Sequence, residues 1–220
     1  LNNQLAISAG VRTDGNSFTN NGNNFGKTLS PRLSISYVLT DQININASVG
    51  RYFKLAPLTS LGFKDNVGNY TNKNASYLGN NHFVAGIEYL PSESTRFTAE
   101  VFYKQYFNSP ISIQKGISLS NLGADFNILG NEAISTNGKG KAYGFELFAQ
   151  KKLTDRFFGV ASYSFFRSSY TNIQGFYLPS AWENKHLISV TAGYKLNKNW
   201  ELGIKFRLQG GTPYTPYDTV

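Results

Sequence analysis

No cysteine and no methionine occur among the 220 residues. The first absence excludes a disulfide framework and any thiolate metal site. The second, with no initiator methionine and no basic segment followed by an apolar run and a cleavage site, leads us to expect a piece of a longer protein, its N-terminal address missing. Long apolar runs are also lacking. No stretch approaches the roughly 20 residues a spanning helix needs, whereas a barrel strand needs only about 9 to 11. Histidine is scarce, with only His82 and His186, and neither has zinc-type spacing. We expect a turn-stabilising role for His186 and a solvated loop position for His82. No GxSxG elbow accompanies the serines, and Gly138-Lys139-Gly140 is too short to cradle a phosphate. Catalysis, cofactors and metals are therefore not expected.

Net charge is +8, and its distribution argues against nucleic acid. Seven lysines, counting Lys185 at the margin of the last, against five acids leave the long polar segments at +2, and the remainder is scattered without a basic cluster. Tyrosine and phenylalanine are abundant, at 14 and 17. Mean hydropathy is −0.31, which decides little, because a barrel alternates lipid-facing and lumen-facing residues.

What is present is alternation. Nine amphipathic runs cover roughly residues 4–13, 31–40, 42–53, 83–91, 95–107, 141–153, 156–169, 185–196 and 199–209. Tight reversals at Thr40-Asp41, residues 91–94, Thr154-Asp155 and residues 197–199 alternate with long segments at 14–30, 54–82, 108–140 and 170–184. Short turns on one side and long loops on the other are the pattern of an up-and-down outer-membrane barrel. Side chains alternate across a strand, so each run has two faces. One is apolar, as in Leu33, Ile35, Tyr37, Leu39 and in Phe97, Ala99, Val101, Tyr103. The other carries the charges, including Glu88, Glu100, Lys104, Glu146, Lys205 and Arg207, which are expected to face a wet lumen. These carboxylates and cations are read as pairing across strands or holding a polar plug rather than as catalytic groups. Arg51, Lys151 and Arg167 share the apolar parity but fall near run ends, where they can reach headgroups or water.

Tyr37, Tyr89, Phe97, Phe157, Tyr194 and Trp200 lie on the apolar parity close to the short turns and are expected to form a periplasmic aromatic girdle. A looser second set, Phe53, Phe83, Tyr103, Phe107, Tyr143 and Phe165, sits near the long segments. The fold expected is all-β, an antiparallel up-and-down transmembrane barrel with outer-membrane lipid around it. Single-chain bacterial barrels have even strand numbers, so nine strands imply an incomplete segment with exposed edges that would aggregate alone. A soluble glycan-binding or adhesin-like β-sandwich and a passive outer-membrane barrel are the competing readings.

Several phrases are specific. Leu29-Ser30-Pro31-Arg32-Leu33 followed by residues 43–53, ending Gly50-Arg51-Tyr52-Phe53, forms one. Gly140-Lys141-Ala142-Tyr143-Gly144-Phe145-Glu146-Leu147 forms a second, Trp182-Glu183-Asn184-Lys185-His186 a third, and residues 210–217 a fourth. In this order they resemble the C-terminal barrel of a TonB-dependent outer-membrane receptor of the Bacteroidota type, over residues 1–220. The resemblance implies a 22-stranded barrel around an N-terminal plug, with a TonB box contacting the TonB complex. Plug, TonB box, signal peptide and final strands are expected to lie outside this chain. It implies capture of a scarce bulky solute, such as a ferric siderophore, cobalamin or glycan, and energy-coupled import. Loops 54–82 and 108–140 are the expected recognition elements, with Tyr70, Tyr77, Lys115 and Phe126 the candidate ligand contacts.

Overall fold

The computed structural model describes residues 4–123 and 129–213. All nine runs become strands, and a short tenth is added. In chain order they are β1 (Leu5–Arg12), β2 (Ser30–Thr40), β3 (Ile43–Lys54), β4 (Leu78–Ser92), β5 (Thr95–Ser112), β6 (Ile134–Thr154), β7 (Phe157–Thr171), β8 (Tyr177–Pro179), β9 (His186–Lys195) and β10 (Glu201–Gln209). They form one sheet in the order β1-β2-β3-β4-β5-β6-β7-β9-β10, with every neighbour antiparallel. β8 occupies the upper part of the β7 edge, opposite Ser169–Thr171, while β9 takes the lower part from Phe157 to Phe165. A single layer replaces the two-sheet sandwich. The sheet is open, with β1 and β10 at its edges.

The reversals alternate as the sequence pattern predicts. β2–β3, β4–β5, β6–β7 and β9–β10 are joined tightly, and Asp155 takes a left-handed conformation (φ 52°) in the third of these turns. Aspartate tolerates that region better than most residues. The other connections cross residues 13–29, 55–77, 113–133 and 172–185.

Register carries the alternation through the whole sheet. One outward row runs Leu5, Tyr37, Ile45, Ile87, Ala99, Leu147, Tyr163, Ile188, Leu208, each paired to the next. Large apolar side chains on this face stay exposed, Val101 at 57% among them. Such an apolar field with no protein over it marks a surface made for lipid or a partner. It ends toward the long loops at the polar row Arg51, Asn81, Gln105, Lys141, Ser169, and toward the short turns at Thr95 and Lys151. From Thr95 to Gln105 is about 33 Å of strand, or about 25 Å in projection at a tilt near 40°, which matches the apolar band of an outer-membrane barrel.

Three strands reach further than hydrophobic alternation predicts. β4 begins at Leu78, β5 continues to Ser112 and β6 begins at Ile134, seven residues before the run seen in sequence. These extensions are rich in Gly, Asn and Ser and lack an apolar face, so only pairing with their neighbours reveals them. His82 is corrected accordingly. It lies within β4, opposite Gly50 and Lys104 and edge-on to Tyr52, rather than in a solvated loop. His186 opens β9, and its Nδ1 shares a 2.9 Å hydrogen bond with the Tyr163 hydroxyl.

Among the described residues few apolar side chains are buried, and most lie above the apolar band. Ala56, Leu61, Ile111, Leu119 and Ile134 belong to the long-loop end, with Ala142 lower on β6. The packed core therefore sits beneath the loops, and the sheet below it depends on ladder hydrogen bonds and its surroundings.

Candidate functional site

The long loops form a connected cap. Asn20 donates its backbone N–H to Lys73 O at 2.9 Å, and its side-chain amide donates to Asn74 Oδ1 at 2.7 Å, so the first loop leans on the second. Asn72 joins the second loop to the third. It is 3% exposed, donates through Nδ2 to Ser60 O (2.7 Å) and Glu132 O (2.9 Å), and accepts from Ile134 N at 3.0 Å. Thr59 adds a hydroxyl bond to Leu129 O at 2.8 Å. Asn121 then reaches the fourth segment, donating to Leu178 O and Pro179 O, while Ala181 N donates to Ser120 O. The buried Asn72 amide satisfies three backbone groups and the Asn121 amide two, so the cap is held in place rather than left as tethered coil.

The four proposed ligand contacts fare differently. Tyr70 is exposed, with the Phe18 ring edge-on at 5.1 Å, Lys64 Nζ 4.6 Å from its centre and Lys73 Nζ at 5.9 Å. This is an accessible aromatic ring flanked by two cations, a surface suited to anionic or aromatic groups. Tyr77 is half-buried and structural: its hydroxyl accepts from Asn16 Nδ2 at 3.0 Å and its carbonyl from Asn108 Nδ2 at 3.0 Å. Lys115 is ion-paired to Glu132 at 3.1 Å, and Glu132 also accepts from the Ser112 hydroxyl. Phe126 lies outside the described residues. The structure brings no two of Tyr70, Tyr77 and Lys115 together. Phe18, Lys64 and Lys73 share the site of Tyr70; the two lysines come from the same loop, whereas Phe18 joins only because the first loop folds across the second.

In the second loop Asp65 accepts from Asn69 N at 2.8 Å and Val67 N at 3.0 Å. The Asn69 bond has the largest effect and, with the weaker contributions of Val67 and Gly68, holds its carboxyl below the usual aspartate value against an opposing effect of burial that ranks second.

On the face opposite the apolar field, Glu88, Glu100, Lys104, Glu146, Lys205 and Arg207 all keep the expected parity. Their pairing is selective. Glu88 engages Arg96 and accepts from Asn44 Nδ2 at 3.0 Å. Glu100 and Glu146 stand directly opposite one another, and Lys104 lies over the Phe102 ring at 5.2 Å rather than beside a carboxylate. This face is also less polar than the sequence suggests. Tyr52, Phe102, Tyr106, Phe148, Phe158, Phe166 and Tyr170 share it, and the Tyr106 ring packs against that of Tyr170 above Gly140, their centres 5.3 Å apart and their planes tilted by 39°. A β-carbon at Gly140 would come within 2.4 Å of the Tyr170 ring, which explains glycine there.

Tyr37, Tyr89, Phe97, Phe157, Tyr194 and Trp200 are all exposed on the apolar face beside the short turns. Tyr89 and Phe97 are cross-strand partners with stacked rings 6.3 Å apart, and Phe157 pairs with Tyr194. At the other end Glu183 is buried at 2% exposure. Its carboxylate accepts from Arg167 Nε at 2.9 Å and from Ser168 N at 2.7 Å, locking the fourth loop to the top of β7.

Comparison with known proteins extends this geometry. A family model described as TonB dependent receptor-like, beta-barrel matches residues 1–220. No curated protein matches the chain. Among solved structures, the pyoverdine outer-membrane receptor FpvA from Pseudomonas aeruginosa PAO1 is 18% identical with a TM-score of 0.66, over 96% of this chain and 29% of its own. The ferric-catecholate import receptor Fiu from Escherichia coli K12 is 12% identical with a TM-score of 0.63, over 93% of this chain and 32% of its own. The alcaligin outer-membrane receptor FauA from Bordetella pertussis is 16% identical with a TM-score of 0.57, over 83% and 29%. The chain thus spans less than a third of the length of each of these proteins, and at such identities the likeness is one of fold.

Proposed function

The chain belongs to the TonB dependent receptor-like β-barrel family, whose members are outer-membrane proteins, and from that premise we propose that it forms part of the wall and loop cap of an active importer. In this reading the receptor captures a scarce, bulky solute such as a ferric siderophore, cobalamin or glycan. Energy delivered through TonB then rearranges a plug domain and opens the lumen. The chain supplies one portion of a 22-stranded barrel. The phrases at residues 29–33, 140–147 and 182–186 support placing it in the Bacteroidota branch.

The observation that carries the proposal is the loop cap. A passive barrel needs only a wall, whereas here most of the described buried apolar residues lie at the long-loop end, in loops and strand extensions, with Asn72 tying two loops together. A rigid, elaborated surface of this kind is where binding residues concentrate. Tyr70, with Lys64 and Lys73 beside it, is the strongest contact candidate; the ion-paired Lys115 is the weaker, and Tyr77 serves the loop architecture. Glu88, Glu100, Lys104, Glu146, Lys205 and Arg207 line the lumen, where paired and unpaired charges can meet the plug. The aromatics beside the short turns form the periplasmic girdle.

The test is solute uptake by cells carrying or lacking the full-length gene, under limitation for iron, cobalamin or glycan in turn. The proposal predicts that one uptake is lost on deletion and equally lost when TonB is inactivated. Uptake that persists without TonB would establish a passive pore instead.

A further inference from the structure

The short-turn end of the wall carries a polar site of its own. A depression of about 700 Å³ lies between the β6–β7 turn and the β9–β10 turn. Lys195 N donates to Arg156 O at 2.7 Å, which fastens one turn to the other. In the second turn Asn197 Oδ1 accepts from Asn199 N at 2.9 Å and from Trp200 N at 3.0 Å, closing it on itself. The rim is thereby preformed.

Both signs of charge line the depression. Arg156, Lys195 and Lys198 supply cations, and Asp155 and Glu201 supply carboxylates. Among the described residues none of these five enters an ion pair, although Lys195 and Glu201 are cross-strand partners. Their charges are open to another molecule. Asn197, Asn199 and Trp200 complete the lining, and Trp200 is 67% exposed, against 40–46% for the other five aromatics beside the short turns. The neighbouring outward residues Phe157, Tyr194 and Leu202 take no part in it. The site therefore opens away from the apolar field, where a lipid chain would lie.

We propose that this site docks the periplasmic cell wall, a polymer of N-acetylated amino sugars carrying peptides with free carboxylates and an amine. The peptide carboxylates meet Arg156, Lys195 and Lys198, and the amine meets Asp155 or Glu201. A sugar ring lies on the Trp200 indole, with the Asn197 and Asn199 amides beside its acetamido groups. An anionic lipid headgroup would use the three cations and be opposed by the two carboxylates, whereas a partner bearing both signs uses all five. The proposal rests on the short turns facing the periplasm and is independent of which solute is carried.

The experiment uses the full-length receptor in mild detergent, co-sedimented with purified cell-wall sacculi and titrated with soluble disaccharide-tetrapeptide, the same disaccharide without peptide, and short-chain phosphatidylglycerol. An exposed ion pair contributes up to about fivefold in affinity, so combined Arg156→Gln, Lys195→Gln and Lys198→Gln should weaken the disaccharide-tetrapeptide about tenfold or more. Trp200→Ala should cost about threefold. Lys139→Gln, exposed at the long-loop end, should leave binding unchanged, and heat-modifiable gel mobility confirms the folded barrel. Should the triple variant misfold, Lys198→Gln alone, in an exposed turn, should lose about threefold. The peptide-free disaccharide should bind more weakly than the disaccharide-tetrapeptide. The proposal is overturned if the receptor does not sediment with sacculi, if the variants retain wild-type affinity, if Lys139→Gln loses as much, if the disaccharide binds equally without its peptide, or if phosphatidylglycerol displaces the disaccharide-tetrapeptide. None of these results alters TonB-dependent uptake, so this proposal and the importer reading fail separately.

Discussion

Removing the carboxylate of Glu183 should unlock the fourth loop from the wall. In Glu183→Ala two interactions disappear together, the Arg167 pair and the bond from Ser168 N–H. Arg167 is 44% exposed on its side chain, so water screens the pair and its loss costs about 1 kcal/mol or less. The Ser168 amide is different. Ser168 is buried, and a hydrogen bond from it to a charged acceptor contributes about 1.5–3 kcal/mol. Together the loss is about 2–3 kcal/mol, which corresponds to a thirty- to more than a hundredfold increase in local opening. Glu183→Gln keeps an acceptor for Ser168 but turns its amide donors toward Arg167, so about half the effect should appear. The assay is native-state hydrogen exchange, read on peptides covering residues 166–171 in the full-length receptor in lipid, under conditions where exchange follows local opening. Protection of Ser168 in Glu183→Ala within about threefold of wild type would refute the reasoning.

Three further outcomes are expected. Val101→Arg places a charge on the outward face near the middle of the apolar band and should destabilise the receptor in bilayers by about 2–4 kcal/mol, against less than about 1 for the neighbouring, exposed, inward Glu100→Arg; equilibrium unfolding into denaturant from lipid vesicles measures both. Asn72→Ala strips Ser60 O, Glu132 O and Ile134 N of their partner at a buried site, costing about 2–4 kcal/mol locally, and limited proteolysis should cleave residues 55–77 and 113–133 while the wall stays intact. The Asp65 carboxyl is depressed in the folded loop, so its contribution is present above the ordinary aspartate value near 3.8 and is lost as pH falls through the lower folded value. The Asn69 and Val67 amide resonances should shift in that acid window, and the shift should be absent in Asp65→Asn.

Much of the wall was legible because lipid and water impose a period of two on every strand that crosses a bilayer. Leu33, Ile35 and Tyr37 declare their common face without knowledge of any partner, and the short turns at Thr40-Asp41 and Thr154-Asp155 follow from where that period breaks. Above the band the constraint vanishes. Leu78-Gly79-Asn80-Asn81-His82 has no apolar face to alternate, so it reads as loop, although it pairs residue by residue with β3 and β5. The aromatics on the face opposite the apolar field were missed for a related reason. Tyr106 and Tyr170 sit at polar parity, and only the register through Gly140 shows that their rings meet.

The loops were least legible of all. Ile111, Leu119 and Ile134 are all buried at the long-loop end but are separated by residues without periodicity, and the bonds of Asn72 join positions about 60 residues apart. Tyr77 looked like a ligand contact because it is an aromatic in a long loop, yet its hydroxyl is taken up by Asn16 from another loop. Tyr70 could be proposed from its type; Phe18 beside it could not, since its proximity depends on how two loops cross.

If one face of the wall meets lipid and the other the lumen, a spin-label scan of β5 should show it. The absence of cysteine in this chain allows single substitutions at each position from Arg96 to Lys104, in the full-length receptor on a cysteine-free background in bilayers. Oxygen accessibility should peak at residues 97, 99, 101 and 103, and accessibility to a water-soluble nickel chelate at residues 98, 100, 102 and 104. A profile without that alternation, or one in which the odd positions are shielded from oxygen as in a protein core, would contradict it.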